Sequence, residues 1–196
     1  MVQPVQTTPA IYPVILAVPA DQHGLPPRQR VRFLSRHARE ALKVSAQRLG
    51  IELGALQKDP RGAPLPSNDH FWSLTHKPNY VGAAVAPAVV GIDLEQVRPC
   101  SAGLFEKTAS ESEWELAAGE DSLQTFFRYW TAKEAVLKTG GEGIKDLSRC
   151  RIVRIDSGSR LRVDYAGRIW PVDQFFFDGH VASVANSGFR VEWVLL

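Results

Sequence analysis

Apolar residues recur every three or four positions over residues 28–49, and basic residues occupy another face of the same stretch. This spacing predicts an amphipathic helix, which Gly50 is placed to end. A second long helix is predicted over residues 122–139, ending at Gly140-Gly141. Each half of the chain therefore contains one predicted long helix.

The other apolar stretches are short and favour strands. An opening strand is predicted within residues 11–20, and two runs at residues 80–86 and 89–95 predict a hairpin. Residues 58–69 contain three prolines, a glycine and an Asn-Asp pair, which favours a loop. Further candidate strands lie at 151–156, 161–165, 174–177, 181–185 and 189–195. The order of strand, helix, hairpin, helix and strands predicts an α+β fold rather than an alternating α/β one.

A weak internal repeat relates the two halves of the chain. Residues 84–86 match residues 183–185, and residues 92–94 match residues 191–193, both at an offset of 99 positions. The repeat suggests two similar lobes, although so few apolar matches are also compatible with chance.

The composition is that of an ordinary globular protein: of 196 residues, 44% are hydrophobic and 22% are charged, with a formal net charge of +2. This balance does not indicate a nucleic-acid-binding protein. The apolar run at residues 11–20 contains Pro13 and Pro19 and is shorter than the ~20 residues that a membrane span needs. Cys100 and Cys150 show neither a disulfide framework nor zinc spacing, so we expect a cytoplasmic protein.

Charge is unevenly distributed along the chain. Seven basic residues and one acid, Glu40, lie between Arg28 and Arg48, whereas six acids and one base lie between Glu106 and Asp121. This distribution suits an anionic ligand on one surface and a metal or a partner on another. Two solvated helix faces would explain the charges equally well.

The second predicted helix carries the motif Trp-Thr-Ala-Lys-Glu-Ala-Val-Leu-Lys at residues 130–138. Trp130, Glu134 and Lys138 are four positions apart and share one helix face. An ordinary surface ion pair between Glu134 and Lys138, worth ~0.3–0.5 kcal/mol, is the simplest explanation of that pair taken alone.

A Gly-Ile-Asp-Leu-Glu run at residues 91–95 ends the predicted hairpin. Residues two apart on a strand point to the same side, so Asp93 and Glu95 present two carboxylates together. A hard divalent cation, which takes oxygen ligands of this kind, would relieve their repulsion. Alternatively, the strand simply ends in solvent before Pro99.

Thr75, His76 and Lys77 place a hydroxyl, an imidazole and an ammonium in a row. All three groups can donate hydrogen bonds to phosphate oxygens. A histidine after a loop is also commonly a structural residue, so this motif alone does not establish a phosphate site.

Together, the order and spacing of these motifs resemble the phosphopantetheinyl transferases of the longer, Sfp-like branch. That family carries a Gly-Ile/Val-Asp-x-Glu strand and, further along the chain, a Trp/Phe-Ser/Thr-x-Lys-Glu-Ala/Ser-x-x-Lys helix, as at residues 91–95 and 130–138 here. Its Leu-Ser-His motif is matched at residues 74–76, with threonine for serine, and its Ala-Arg-x-x-Leu-Arg helix is similar to residues 38–43. The resemblance covers residues 28–195.

The resemblance implies both a reaction and a cofactor. In that family the 4′-phosphopantetheine moiety of coenzyme A is transferred to a serine of an acyl or peptidyl carrier protein, releasing adenosine 3′,5′-bisphosphate. Mg²⁺ would bind Asp93 and Glu134, with Glu95 as a third carboxylate, because a bridging cation is needed between pyrophosphate and carboxylates. Glu134 is the first candidate general base, acting directly or through a metal-bound water, and Glu113 is the second.

The resemblance also implies the residues that hold coenzyme A. Lys133 and Lys138 match the family's two helix lysines, and Lys138 would stabilise the charge of the leaving group. Thr75 and His76 would bind phosphates. Arg39 would approach the 3′-phosphate end of the substrate.

The chain departs from the family at a nucleotide-contacting Gly-Lys-Pro turn, which residues 62–64 match only in part. Ala63 replaces the lysine, and Arg61 could substitute for it because a guanidinium is a good phosphate ligand. Carrier proteins are acidic around the modified serine. The basic helix face of residues 28–43 could therefore dock the carrier or hold the 3′-phosphate.

The same resemblance implies an α+β fold of two similar lobes in a pseudo-twofold arrangement, each a helix packed on an antiparallel sheet. We place these lobes at residues 1–98, on the coenzyme A and Mg²⁺ side, and at residues 99–196, which carry the helix motif. Such a pseudo-dimer needs no second copy, so we expect a monomer. The alternatives are a metal-dependent phosphodiesterase using the same carboxylates, and a non-catalytic module that binds through residues 28–43.

Overall fold

The computed structural model describes residues 8–141 and 144–196, and it confirms the α+β class. The helices are α1 (Pro27–Leu49), α2 (Ala102–Thr108), α3 (Glu111–Glu115) and α4 (Ser122–Gly140), with short 3₁₀ turns at Ala20–Gln22 and Ile144–Arg149. The strands are β1 (Ala10–Ile11), β2 (Val14–Ala17), β3 (Phe71–His76), β4 (Tyr80–Ala86), β5 (Gly91–Gln96), β6 (Arg151–Ser157), β7 (Arg160–Tyr165), β8 (Arg168–Phe177), β9 (His180–Ala185), β10 (Arg190–Val191) and β11 (Val194–Leu195).

The two long helices begin and end where local sequence chemistry favours it. Pro27 opens α1, where its missing N–H would have no helical partner in any case. Gly50 ends α1 in the left-handed conformation, with φ of 71°. Asp121 caps α4 by accepting a hydrogen bond from the backbone N–H of Gln124 at 2.7 Å, and Gly141 ends it with φ of 70°. Both predicted helices are confirmed.

Each long helix covers one sheet. Helix α1 packs on a four-stranded sheet of order β11-β2-β4-β3, and α4 packs on a five-stranded sheet of order β5-β9-β8-β7-β6. Strands β1 and β10 form a separate two-stranded sheet. Neighbouring strands are antiparallel except in the β1–β10 and β2–β11 pairs, which are parallel. The apolar faces of the two helices therefore supply two separate cores.

The predicted hairpin of residues 80–86 and 89–95 is wrong, although both strands exist. Strand β4 is paired on both edges, by β2 and by β3, so no edge is left for β5. Strand β5 pairs instead with β9, and Asp93 lies opposite Ser183 in that register.

Strand pairing crosses the predicted boundary between residues 98 and 99 in both directions. Strand β5 precedes that boundary but joins the sheet covered by α4. Strands β10 and β11 follow it but pair with β1 and β2. Each half of the chain therefore completes a sheet of the other half. No helix in the described part of the chain has the length and apolar character that crossing a bilayer requires.

Candidate active site

A cavity of about 280 Å³ lies where α4 meets β3 and the loop before β3. Glu134, Leu137 and Lys138 line it from α4. Its other lining residues are Lys58, Arg61, Gly62, Ala63, Pro64, Trp72, Ser73, Leu74 and Gly141. The fold thus brings Arg61, Glu134 and Lys138, three residues predicted to act together, to one cavity.

Strand β5 approaches α4 closely at Gly91, the first residue of the Gly-Ile-Asp-Leu-Glu run. A β-carbon at this position would lie 1.9 Å from the carbonyl oxygen of Ala135, so glycine is required for this packing. The close approach brings Asp93 to the helix. Its Oδ1 accepts a hydrogen bond from Lys138 Nζ at 2.8 Å.

Asp93 is buried, with only 4% of its surface exposed. Besides the bond from Lys138, its Oδ1 accepts a bond from Thr75 Oγ1 at 3.1 Å. Its other oxygen, Oδ2, is buried and has no hydrogen-bond partner among residues 8–141 and 144–196. An unsatisfied carboxylate oxygen costs free energy in an apolar interior. Asp93 Oδ2 is therefore positioned to take a further positive ligand.

Glu134 has a similar unsatisfied oxygen. Its Oε1 is buried and lacks a hydrogen-bond partner within the described residues. Burial, followed by the nearby charge of Asp93, raises the pKa of Glu134 to about 7, against the lowering effect of the ammoniums of Lys138 and Lys77. The negative charges of the two carboxylates repel each other, and each group has a buried oxygen without a hydrogen-bond partner. A bound cation would stabilise both.

The predicted set of three carboxylates is not assembled as expected. Glu95 is bound to Lys77, whose Nζ lies 2.6 Å from Glu95 Oε1. No cluster of three or more His, Cys, Asp or Glu side chains in the described segments is arranged to hold a metal. Asp93 Oδ2 and Glu134 Oε1 are buried carboxylate oxygens without a hydrogen-bond partner in the described segments, and they fit a hard cation such as Mg²⁺ completed by substrate oxygens or water.

Lys133 and Glu113 bind each other in this structure. Lys133 is 1% exposed, and its Nζ donates to the carbonyl of Thr108 at 2.7 Å and lies 2.6 Å from Glu113 Oε1. Glu113 also accepts bonds from the backbone N–H groups of Ser110 and Ile152. Neither residue is among those that line the cavity, and the contacts of both side chains are structural in this arrangement.

The environment of Glu113 keeps it ionised. Burial alone would raise the pKa of its carboxyl, but hydrogen bonds from Lys133 and from two backbone N–H groups hold that pKa below its ordinary value. The pair joins α4 to α3, because Lys133 lies on α4 and Glu113 on α3. Removing either partner would leave a buried charge uncompensated, so the pair holds these elements together.

Thr75 and His76 are the last two residues of β3. The hydroxyl of Thr75 donates to Asp93, so it orients the carboxylate in this arrangement. The His76 side chain is exposed. Partial loss of hydration, together with the ammoniums of Lys138, Lys77 and Lys58, lowers its pKa below the ordinary value, which favours a neutral imidazole before an anion binds.

The two predicted arginines differ in position. Arg61 lines the cavity, and its Nε lies 3.3 Å from Asp59 Oδ2. Arg39 is not among the residues that line the cavity, and its Nη1 donates to the carbonyl and hydroxyl of Ser35 at 2.9 and 2.7 Å. The structure therefore supports Arg61, and not Arg39, as a residue of this cavity.

Sequence reasoning missed Lys58 as a basic residue of the site, and it did not foresee the ion pair of Lys77 with Glu95. Lys58 lines the cavity, and Lys77 neutralises Glu95. The sequence did draw attention to Lys77, as the last residue of the Leu-Thr-His-Lys run at residues 74–77. Lys58 belongs to no recognised motif, and its position at the cavity depends on the fold of the loop before β3.

The profile of the 4′-phosphopantetheinyl transferase superfamily matches residues 89–185, which include β5 and α4. The chain is 34% identical over 157 residues to 4′-phosphopantetheinyl transferase HetI of Nostoc sp., covering 72% of this chain and 65% of HetI. It is 35% identical over 78 residues to psf-1 of Bacillus pumilus, covering 38% and 33% of the two chains.

The chain is also similar to 4′-phosphopantetheinyl transferase Sfp of Bacillus subtilis, with 29% identity over 79 residues, or 39% of this chain and 35% of Sfp. It thus spans less than two thirds of the length of each of these relatives. The matches are consistent with the Sfp-like branch, and they do not support a phosphodiesterase or a non-catalytic module. The matched profile contains both Asp93 and the Glu134–Lys138 helix turn, so this part of the chain is similar to the 4′-phosphopantetheinyl transferase superfamily.

Proposed function

We propose that this chain transfers the 4′-phosphopantetheine moiety of coenzyme A to a serine of an acyl or peptidyl carrier protein, releasing adenosine 3′,5′-bisphosphate. The observation that carries the proposal is the pair of unsatisfied buried oxygens, Asp93 Oδ2 and Glu134 Oε1, at the edge of a cavity lined by Lys138. HetI, psf-1 and Sfp carry the same enzyme name.

The proposed cofactor is Mg²⁺, held by Asp93 and Glu134. When bound there, the ion would neutralise the pyrophosphate of coenzyme A and polarise the phosphorus that is attacked. Glu95 would act through Lys77, since the two form an ion pair in this structure. Asp93 and Glu134 would therefore be metal ligands, whereas Glu95 would be the ion-pair partner of Lys77.

The side chains of the site then have distinct roles in the transfer. The serine oxygen of the carrier forms a bond to the β-phosphorus, the bond from that phosphorus to the leaving oxygen breaks, and the hydroxyl proton passes to a base. Glu134 is our candidate base, because it is the carboxylate of α4 that lines the cavity. Lys138 stabilises the negative charge that develops on the departing adenosine 3′,5′-bisphosphate.

The reaction is tested directly by mass spectrometry of an apo carrier protein. With coenzyme A and Mg²⁺, the carrier should gain ~340 Da, whereas chelation of the metal should abolish the gain. A panel of carriers from fatty-acid, polyketide and non-ribosomal peptide assembly would show which are accepted. If no carrier gained mass while coenzyme A was hydrolysed, a phosphodiesterase would be favoured instead.

We further propose that the basic face of residues 28–43 docks the acidic carrier protein, and that one copy of the chain is sufficient. Arg32 and Arg36 are exposed on α1. The guanidinium of Arg36 lies over the Phe33 ring at 5.7 Å, an arrangement that leaves its charge near the surface. We expect a cytoplasmic location, in line with the two cysteines, which are both free.

Charge reversal at Arg32 or Arg36 should raise the KM for the carrier about tenfold at low salt, because an attraction becomes a repulsion. The effect should shrink as salt is added, since exposed charges are screened. Lys107→Glu, which reverses an exposed charge on α2, serves as the control and should change KM little. An unchanged KM for the Arg32 and Arg36 variants at low salt would show that this face is a solvated surface that does not bind the carrier.

A further inference from the structure

A row of polar side chains crosses the five-stranded sheet beneath α4. Asp93 on β5 lies opposite Ser183 on β9, and Ser183 lies opposite Gln174 on β8. Side chains of residues directly opposite on neighbouring strands share one face of a sheet. All three residues are buried, although the residues that pack α4 on this sheet are mainly apolar. A buried polar row of this kind requires hydrogen-bond partners.

The partners of this row lie on α4, where each member of the row is bound by one polar side chain. The pairs are Asp93 with Lys138, Ser183 with Thr131, and Gln174 with Arg128. The hydroxyl oxygens of Thr131 and Ser183 lie 2.7 Å apart, and both residues are fully buried. Polar contacts therefore join α4 to three neighbouring strands.

The hydrogen bonds around Ser183 run in one direction. The amide Nε2 of Gln174 donates to Ser183 Oγ at 2.9 Å. Thr131 Oγ1 donates its single proton to a backbone carbonyl of its own helix, that of Phe127 at 2.7 Å being the nearest. Ser183 must therefore donate its own proton to Thr131. Loss of the Thr131 hydroxyl would break this chain and remove the acceptor of the Ser183 proton.

The contact of Thr131 with Ser183 is linked directly to both proposed metal ligands. Glu134 follows Thr131 by three positions, which places the two residues on the same side of α4. Asp93 lies directly opposite Ser183 in the β5–β9 register. The separation of Asp93 from Glu134 therefore depends on how α4 is placed on the sheet at this contact.

The polar row specifies that placement more closely than apolar packing does. Burial of apolar surface is non-directional, so a helix packed only by apolar side chains can shift on a sheet at small cost. Hydrogen bonds are directional, and a shift of α4 would leave several buried polar groups unpaired. The chain of bonds through Thr131 and Ser183 thus favours one position of the helix.

We propose that Thr131 and Ser183 are positioning residues, whose hydrogen bond sets the separation of Asp93 and Glu134 and thereby the affinity of the site for Mg²⁺. The inference rests on the proposed metal site and transferase function. Neither Thr131 nor Ser183 is among the described residues that line the cavity, so both act through the two carboxylates rather than on the substrate.

Thr131→Val tests the proposal, because valine has nearly the shape of threonine but lacks the hydroxyl. The variant should bind Mg²⁺ about tenfold more weakly by calorimetry, and its kcat for carrier modification should fall about tenfold, with the KM for the carrier unchanged. Thr131→Ser, which keeps the hydroxyl and loses the methyl group, should retain most of the affinity and rate. Ser183→Ala removes the same bond from the strand and should reproduce the losses of Thr131→Val.

Ser45→Ala is the matched control. Ser45 is fully buried on α1, where its hydroxyl donates to the carbonyl of Tyr12 at 2.7 Å and accepts from the N–H of Val85 at 3.2 Å. The control should lower the midpoint of thermal unfolding about as much as Thr131→Val, because each removes the bonds of a buried hydroxyl. It should leave the Mg²⁺ affinity and kcat unchanged, since α1 covers the other sheet.

Equally lowered unfolding midpoints for Thr131→Val and Ser45→Ala, with the Mg²⁺ affinity unchanged in both, would overturn the proposal and make the contact structural only. An equal loss of affinity in Thr131→Ser would overturn it too, because the hydroxyl would not be the cause. A parent protein that bound no Mg²⁺ would contradict the positioning role together with the metal site. A parent that bound Mg²⁺ with this dependence on Thr131, but modified no carrier, would contradict only the transferase function.

Discussion

Glu134→Gln should abolish phosphopantetheine transfer, with a loss of about a thousandfold or more, and should also stabilise the metal-free protein. The loss of activity follows because an amide is a poor ligand for Mg²⁺ and cannot accept the serine proton. The gain in stability follows because Glu134 carries a buried oxygen without a hydrogen-bond partner among the described residues. One substitution should therefore move activity and stability in opposite directions.

The gain in stability should depend on pH. The pKa of Glu134 is about 7 in the folded protein, against an ordinary value of 4.5, so folding favours the neutral carboxyl. The stability that the neutral Glu134 carboxyl contributes is fully present below the pKa that this group has in the unfolded chain. It is lost as the pH rises through the pKa of the group in the folded protein. Glutamine stays neutral throughout. The free energy of unfolding of the variant should therefore exceed that of the parent by about 2–3 kcal/mol at alkaline pH, and by little at acid pH.

Urea unfolding in the presence of a chelator, at about pH 5 and about pH 8, measures this difference, and the carrier mass gain measures activity. Glu115→Gln is the matched control, because Glu115 is exposed on α3 and the same substitution there should change neither quantity. Near-normal transfer by Glu134→Gln would show that Glu134 is neither the general base nor a required metal ligand. A stability difference that did not vary with pH would contradict the raised pKa.

Gly91→Ala should destabilise the protein by about 3 kcal/mol and lower kcat about a hundredfold. The added methyl group would lie 1.9 Å from the carbonyl oxygen of Ala135, a backbone atom that cannot rotate away. Strand β5 and helix α4 must then separate. Because Asp93 lies on β5 and Glu134 on α4, the separation would displace the two carboxylates that we propose as metal ligands.

Gly103→Ala is the control for this variant. A β-carbon at Gly103, within α2, meets no atom within 4 Å, so alanine should stabilise that helix by about 0.5–1 kcal/mol. Thermal unfolding and steady-state rates of the two variants provide the comparison. If Gly91→Ala proved as stable and active as the parent, the close approach of β5 to α4 would not be what positions the site.

The helices were predictable from the sequence because their signals are local. Apolar spacing and the two glycines Gly50 and Gly141 mark α1 and α4 closely. The partner of β5 was not predictable in this way. Two neighbouring apolar runs favour a hairpin, but β4 has both edges occupied, and only the complete set of pairings shows that β5 joins β9.

The site was predictable in part, and helix geometry explains the difference. Successive residues of a helix point about 100° apart, so Lys133 and Glu134 cannot both face the cavity squarely. Lys133 shares its face with Tyr129 and Leu137, both fully buried, and this periodicity was a usable sign that Lys133 is internal. The ion pair of Lys77 with Glu95 joins two strands and has no local sequence signal.

The exchange of strands between the two halves has a consequence for how the chain acquires its structure. Strands β1 and β2 find their parallel partners only in residues 190–195, and β5 finds its partner in β9. Such pairings are distant in sequence, and their loop-closure entropy slows folding. Neither sheet is complete until most of the chain is present. The cavity at α4 should therefore form late during synthesis, and both halves should unfold in one cooperative transition rather than in two.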